Sequence, residues 1–417
     1  MIATARSIAA CRACGGALDT VFCDLGVQPV ANSYLPAGPC EAPEPAFALR
    51  AVVCAQCRLV QLDTVVDETA IFTDYAYFSS ASSSWLAHAA RFAAAAAKRF
   101  SLDAQSLVVE VASNDGYLLR NFVAAGIPCL GIEPAANVAA NARAAGVPTE
   151  AVFFGHATAA RLVQAHERHA DLIIANNVLA HVPDVNDFVA GLAHLAGPQG
   201  TISIESPHLI ALVDGVQFDT IYHEHYAYWS LLSLERLFAR HGLAIFDVEW
   251  LPTHGGSLRL MAGAAPQTPS QAVLALRAQE AERGLEGDRF YKGFDNRARQ
   301  VIAGLRDWIA SGRRRGRRLG AYGAAAKGNT LLNSAGIAAA DILAVADLSP
   351  AKQGRLLPGS HIPVVTPKAL LDLAPHDILI LPWNIGEELA AQLRGAGFRG
   401  GLFTAVPEMR RWPDPMP

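Results

Sequence analysis

Two CxxC pairs constrain this chain more than any other feature. Cys11 and Cys14 form the first, Cys54 and Cys57 the second, with 39 residues between them. Residues 1–70 are dense in turn formers, as in GVQPVANSYLPAGPCEAPEP. A segment of that kind buries too little apolar surface to fold without a staple. Four thiolates around one tetrahedral zinc supply a staple and leave no coordination position open for a substrate. The alternative reading is two unrelated cysteine pairs. The spacing exceeds that of a tight finger and suits two zinc knuckles joined by an inserted loop. Cys23, Cys40 and Cys129 stand alone. Disulfides are disfavoured in a reducing cytosol, so the paired framework reads as metal binding. The start, MIATARSIAA, lacks the long apolar centre of a secretion signal, and the expected location is cytoplasmic.

At 417 residues the chain is too long for one ordinary core. Its net charge of −4 gives no general attraction to nucleic acid or to an anionic membrane. No apolar run reaches the roughly 18–20 residues needed to span a bilayer. From Ala81 to Phe100 an Ala-rich helix is expected, with Trp85, Phe92 and Phe100 near one face. Strands then alternate with helices: Leu107–Val111, Leu130–Ile132, Asp171–Ala175 and Gly200–Glu205. This alternation predicts a doubly wound α/β domain. The stretches AIFDVEWL and SLRLMAGA add strands, and a long helical region runs over roughly 269–311. A second α/β pattern follows, from RLGAYGAAAKGNTLLNSAG to GLFTAVP. The arginines within 313–318 read as a solvated helix end that complements the helix dipole.

EVASNDGYLL places Glu110 at a strand end, followed by Ser113, Asn114, Asp115 and Gly116. Small residues let a cofactor approach the backbone, and Gly116 removes a Cβ from that approach. No glycine triad is present to admit a pyrophosphate. A smaller adenosine compound, S-adenosylmethionine, therefore suits the turn better than a dinucleotide. Glu133 ends the next strand, where a carboxylate can accept from both ribose hydroxyls.

These segments together are similar to the sugar C-methyltransferases of deoxysugar biosynthesis, which methylate C3 of nucleotide-linked 4-keto-6-deoxyhexoses. The resemblance rests on CRAC with CAQC, DYAYFSSASSSWLAHA, EVASNDGYLL, GIEPAANVA, NNVLAHVPDVNDF, IESPHL, QFDTIYHEHYAYWSLLSLERLFARHGL, LPTHGGSLR, GAYGAAAKGNTLLN and KQGRLLPGSHIPV, in order from residue 11 to residue 363. It implies three parts: a zinc-binding module at 1–70, a methyltransferase domain at 71–265 and a Rossmann-like nucleotide-sugar domain at 266–417. It implies a small-molecule nucleotide-sugar substrate, with thymidine diphosphate as the expected nucleotide, and a monomer or weak homodimer without nucleic acid or membrane partners. Asn176 and Asn177, in NNVLAHVPD, join the cofactor side. Lys327, Asn329, Lys352 and His361 are the candidates for the nucleotide-sugar. The chain departs from the family pattern at ADLSPAKQG, GAAAKGN and HEHYAYWS.

TIYHEHYAYWS, residues 220–230, carries the candidate chemistry. Methylation of carbon beside a ketone needs a base for the α-proton and a donor for the enolate oxygen. His225 is the expected base, since an imidazole suits proton acceptance at neutral pH. Tyr222 is the expected oxyanion donor. Glu224 orients an imidazole or binds sugar hydroxyls. In an extended segment 223 and 225 would share one face, with 222 and 224 on the other; a loop crossing the cleft would present them all. His181 points into the same cleft from a strand end, Tyr77 is a lid residue that touches substrate, and His254 in THGG is a further contact. HEH lacks the i, i+4 spacing of a helical zinc site, so no catalytic metal is expected there. Two other readings remain at this stage: methylation of oxygen or nitrogen on a related small molecule, and a non-catalytic zinc-ribbon binding protein.

Overall fold

The computed structural model describes residues 4–38, 43–67, 79–81 and 83–413. Tyr77 and Cys40 lie outside the described residues.

The amino-terminal strands Leu18–Pro29, Ala46–Cys54 and Val60–Leu62 pair antiparallel. A fourth strand completes this sheet from far along the chain. It is Ala227–Tyr228, which pairs with Val60–Leu62. The zinc module and the histidine-rich segment therefore share one sheet.

The central sheet has seven strands. Their order is Leu243–Leu251, Ser257–Ala264, Thr201–Pro207, Leu172–Asn176, Val108–Val111, Cys129–Ile132 and Thr149–Glu150. Only Ser257–Ala264 runs antiparallel to its neighbours. The inner strands are apolar on both sides because helices cover both faces. On one face Val109, Ile173 and Ile204 pack with the helices His156–His166, Val185–Ala196 and Leu231–Ala239. The cysteines Cys11, Cys54 and Cys57 belong to this same core. On the other face Val108, Leu172 and Ile174 meet Ala89, Phe92 and Ala93 of the helix Ser83–Arg99. Burial of each branched side chain here contributes about 1.5–3 kcal/mol before entropic costs.

The carboxy-terminal sheet has six strands, ordered Val364–Val365, Val345–Ala346, Leu319–Tyr322, Asp377–Ile380, Gly401–Thr404 and Arg410–Arg411. All but the last are parallel. The single helical stretch expected over 269–311 is two helices, Gln271–Glu282 and Phe294–Arg314. Gly284 and Gly293, with φ of +75° and +86°, stand in the break. The first of these helices packs on the central domain, where the Glu280 carboxylate accepts from the N–H groups of Leu231 and Leu232. In the last turn of the second helix Arg313 pairs with Asp341, and just past it Arg317 pairs with Asp377, so two of the five arginines within 313–318 are engaged in ion pairs.

Candidate active site and zinc centre

The four sulfurs of Cys11, Cys14, Cys54 and Cys57 lie within 4.8 Å of one another. Cys11 Sγ stands 3.5 Å from Cys57 Sγ, and Cys14 Sγ 3.4 Å from Cys54 Sγ. Sulfurs bound to a tetrahedral zinc stand about 3.8 Å apart, so the cluster fits the ion. Backbone N–H groups of Ala13, Gly16, Gln56 and Cys57 point at these sulfurs from 3.4 Å, as the turns of zinc knuckles do. The Gln61 side-chain amide donates to Cys11 Sγ at 3.0 Å. Hydrogen bonds from Cys54, Cys57 and Gln61 lower the pKa of the Cys11 thiol.

A cavity of about 870 Å³ opens where the three sheets meet. Its first end is built by the central sheet. Asn114, Glu133, Asn137, Phe153, Asn176 and Asn177 line it. The Glu133 carboxylate accepts from Asn114 N and Ala135 N, both at 2.9 Å, which fixes its orientation. Burial raises its pKa. Each oxygen keeps a further lone pair for a hydroxyl donor. The side-chain oxygens of Asn176 and Asn177 are buried without a protein partner. Unpartnered acceptors at one end of a cavity fit the hydroxyl and amino donors of S-adenosylmethionine.

The rest of the EVASNDGYLL turn supports this wall from behind. Glu110 and Asp115 are buried and do not line the cavity. Burial raises the Glu110 pKa well above the usual carboxylate range, and the nearby charges of Glu133 and Asp115 add to it. Ser113 packs under Gly131, where an added Cβ would stand 2.4 Å from Ser113 Oγ. Gly116 has φ of +75°, and an added Cβ would meet Val147 at 2.8 Å. The approach that glycine permits is therefore that of Val147, not of a cofactor.

Over Tyr222–His225 the histidine-rich segment is a turn, and it becomes extended only at Ala227–Tyr228. His225 N donates to Tyr222 O at 2.8 Å, closing a tight turn over Tyr222–His225. The turn puts Tyr222 and His225 on the same side. Their rings stand 3.9 Å apart, with Tyr222 Oη 2.7 Å from His225 Nε2. His225 Nδ1 lies 2.8 Å from the carbonyl of Thr220. A carbonyl only accepts, so Nδ1 carries the proton and Nε2 accepts from Tyr222. Burial lowers the His225 pKa well below the ordinary value, helped by the nearby charge of His181. His181 sits on a 3-10 turn, Leu179–His181, rather than at a strand end. Its Nδ1–H donates to Glu224 O at 2.7 Å, and its ring lies 4.6 Å from that of His225. Burial holds its pKa down to about 4.

Tyr222, His225, His181 and His254 all line the cavity. His223 and Glu224 do not; they face the amino-terminal module. Glu224 Oε1 accepts from Asn32 N at 3.2 Å and Asn32 Nδ2 at 3.1 Å, and burial pushes its pKa up to about 7. His254 has φ of +54° and meets the edge of Trp85, with ring centroids 5.3 Å apart.

The second end of the cavity belongs to the carboxy-terminal sheet. Ala325, Ala326, Lys327, Lys352, Arg355 and Asn384 line it. The helix Ala326–Ser334 starts there without a side-chain cap. Lys327 Nζ donates to Asn384 Oδ1 at 2.8 Å and lies 4.8 Å from the Trp383 ring centroid. Lys352 Nζ donates to Ala324 O at 2.8 Å. Two expected contacts are not in the cavity. Asn329 is buried and donates to Ala31 O at 3.3 Å, and His361 stands outside against Glu44 at 3.1 Å. Asn32, Tyr34, Phe153, Arg355 and Asn384 are not singled out from the sequence, and Trp85 is read there only as part of an aromatic helix face. Asn32 and Tyr34 lie in the turn-rich VANSY, where polar residues look like ordinary loop surface.

Fold, cavity and thiol cluster define the class: an S-adenosylmethionine-dependent methyltransferase with a structural zinc module. Three family profiles match successive segments. They are a zinc-binding domain over residues 11–72, a methyltransferase domain over 85–248, and a C-methyltransferase C-terminal domain over 252–407. The chain is 34% identical over 410 residues to C-methyltransferase NovU of Streptomyces niveus, covering 97% of each. This chain belongs to the S-adenosylmethionine-dependent C-methyltransferase family. Looser likeness extends to magnesium protoporphyrin IX methyltransferase of Synechocystis (15% identity, TM-score 0.32, 43% of this chain and 78% of that one). It extends also to 1,6-didemethyltoxoflavin-N1-methyltransferase of Burkholderia thailandensis (17%, 0.31, 43% and 79%). Neither overlap is close enough to bear on chemistry. Family membership replaces both the heteroatom and the non-catalytic readings. Among the described residues no helix is long and apolar enough to cross a membrane.

Proposed function

We propose that this enzyme methylates C3 of a nucleotide-linked 4-keto-6-deoxyhexose, with thymidine diphosphate as the nucleotide carrier. The observation that carries the reading is the Tyr222–His225 pair in the wall of a cavity whose ends differ in charge. When bound, S-adenosylmethionine supplies an electrophilic methyl group, and Asn114, Glu133, Asn176 and Asn177 are the residues to hold it. At the other end, Lys327, Lys352, Arg355 and the open amino end of helix Ala326–Ser334 suit a diphosphate. The sugar then lies between them, against His181, Tyr222 and His225.

The hydrogen bonds give the proton a path. Thr220 O holds the proton of His225 on Nδ1, which keeps the Nε2 lone pair available. The Tyr222 hydroxyl is bonded to Nε2, and both side chains line the cavity. As Nε2 takes the hydroxyl proton, the Tyr222 oxygen takes the proton from C3. The base is thus the pair, rather than His225 alone as the sequence suggested. Proton transfer of this kind contributes ~10²–10⁴-fold to rate. His181, kept neutral by burial and held by its Nδ1–H on Glu224 O, lines the same wall and contacts the sugar.

The reading is tested by incubating the enzyme with S-adenosylmethionine and a thymidine diphosphate 4-keto-6-deoxyhexose, then locating the new methyl group by carbon NMR. A methyl on C3 is expected. A methyl on oxygen, or no turnover of any such sugar, contradicts it.

A further inference from the structure

We infer that Gln61 is a positioning residue that ties the zinc centre to the Tyr222–His225 turn, so that the metal site sets the geometry of the base as well as the fold of its module. The inference rests on the catalytic reading of that turn given above.

Gln61 is fully buried and uses both ends of its amide. Nε2 donates to Cys11 Sγ at 3.0 Å. Oε1 accepts from Arg12 N at 3.0 Å and Arg12 Nε at 3.3 Å. Its backbone lies directly opposite Ala227, two residues beyond His225 in sequence. The adjoining ladder bond runs from Leu62 N to Tyr226 O at 3.0 Å. The strand that leaves the catalytic turn is therefore hydrogen-bonded to Leu62, the neighbour of the residue whose side chain holds a zinc-ligand sulfur.

Arg12, between the first two cysteines, carries the same linkage to the other histidine. Its guanidinium donates to Leu62 O at 2.8 Å and to Pro183 O at 3.5 Å, and lies over the Tyr226 ring at 5.3 Å. Pro183 follows His181 by two residues. Tyr226 N donates to Ala180 O at 2.7 Å, closing the circuit. Asn186 Nδ2 donates to the carbonyls of Arg12 and Ala13 at 2.8 and 3.2 Å. His181 and His225 are thus each one or two residues from a backbone group tied to the Cys11 knuckle. A staple needed only for folding does not require a buried amide and a half-buried guanidinium hydrogen-bonded toward the active-site strands. Partners that orient metal ligands typically cost ~10–100-fold in metal affinity or activity when removed.

Two variants separate the linkage from folding. Gln61→Met removes both amide contacts. Gln61→Glu keeps the shape and the acceptor for Arg12 but replaces the donor to Cys11 Sγ with a carboxylate. Zinc release into a chromogenic chelator, S-adenosylmethionine Kd by titration calorimetry, thermal Tm and kcat are measured on the full chain. Expected are zinc release at least tenfold faster and kcat at least tenfold lower, with S-adenosylmethionine Kd within twofold of wild type and a cooperative unfolding transition retained. If Gln61→Met does not fold, Gln61→Glu carries the test. Zinc release and kcat both within twofold of wild type overturn the inference, as does a fall in kcat matched by loss of S-adenosylmethionine binding. Histidine imidazole NMR keeps the two readings apart. Chelation of zinc should shift the His225 resonances whether or not His225 proves to be the base, and an unmoved signal rejects the linkage alone.

Discussion

Two strand–turn–helix units face the same cavity, and they handle their turns in opposite ways. In the first, Val108–Val111 leads to Leu119–Ala124 through Asn114 and Gly116. Its Asn114 N–H is already taken by the Glu133 carboxylate, and Glu110 and Asp115 lie behind it. In the second, Leu319–Tyr322 leads to Ala326–Ser334 through a run of alanines, with Lys327 in the first turn and no capping side chain. A carboxylate that occupies the turn turns phosphate away and receives hydroxyls; an open helix end beside a lysine receives phosphate. Under the proposed function, one topology would thus yield two binding ends of different chemistry, with the polarity of the cavity following from which residues fill the turn.

The severest way to break the comparison removes what holds both units around one cavity. Zinc binding contributes about 10–16 kcal/mol in small zinc modules. Cys54→Ser, which deletes a ligand, should abolish zinc retention and turnover, as read by metal analysis and product formation. A milder break acts on one end at a time. A lost charged hydrogen bond costs about 1.5–3 kcal/mol, or ~10–100-fold. Lys327→Met should raise the sugar-nucleotide KM by that factor and leave the S-adenosylmethionine Kd unchanged. Glu133→Gln should weaken S-adenosylmethionine several-fold and spare the sugar-nucleotide KM. If either variant moves both constants equally, the two ends are not separate.

Smaller effects sharpen the account of the turns. Gly116→Ala forces a Cβ into Val147 at 2.8 Å, while Gly126→Ala meets nothing within 4 Å; both have positive φ. Overpacking typically costs about 1–3 kcal/mol. Urea unfolding should show Gly116→Ala as the more destabilised of the pair. The pH profile is a further check. The His225 pKa is depressed by burial, so the imidazole stays neutral as pH falls through 6.5 and protonates only below it. The acid limb of kcat should therefore lie below the ordinary histidine pKa of about 6.5. An acid limb at or above that value contradicts the buried, neutral imidazole.

The alternation of strands and helices was legible because both sheets are covered on two faces, so their strands read as short apolar runs such as Val108–Val111 and Asp377–Ile380. The zinc ligands were legible because thiolate pairs at that spacing have few other uses. The Tyr222–His225 turn was not, since alternating types look like a strand until a hydrogen bond from His225 to Tyr222 closes them. The contribution of Asn32 to Glu224 was hidden for another reason. It depends on strand Ala227–Tyr228 crossing to the zinc module's sheet, a long-range pairing with no local signal. Gly116 was read with the right cause and the wrong neighbour, because sequence does not say whose atoms fill the space over a glycine.

The central claim is that Tyr222 and His225 together take the proton beside the ketone. Incubating the keto sugar-nucleotide with enzyme in deuterated buffer, with S-adenosylhomocysteine in place of the methyl donor, reads that step alone. Wild type should wash deuterium into C3, and His225→Ala and Tyr222→Phe should each slow the exchange by at least a hundredfold while still binding S-adenosylhomocysteine. Exchange at the wild-type rate in either variant would contradict the assignment of the pair.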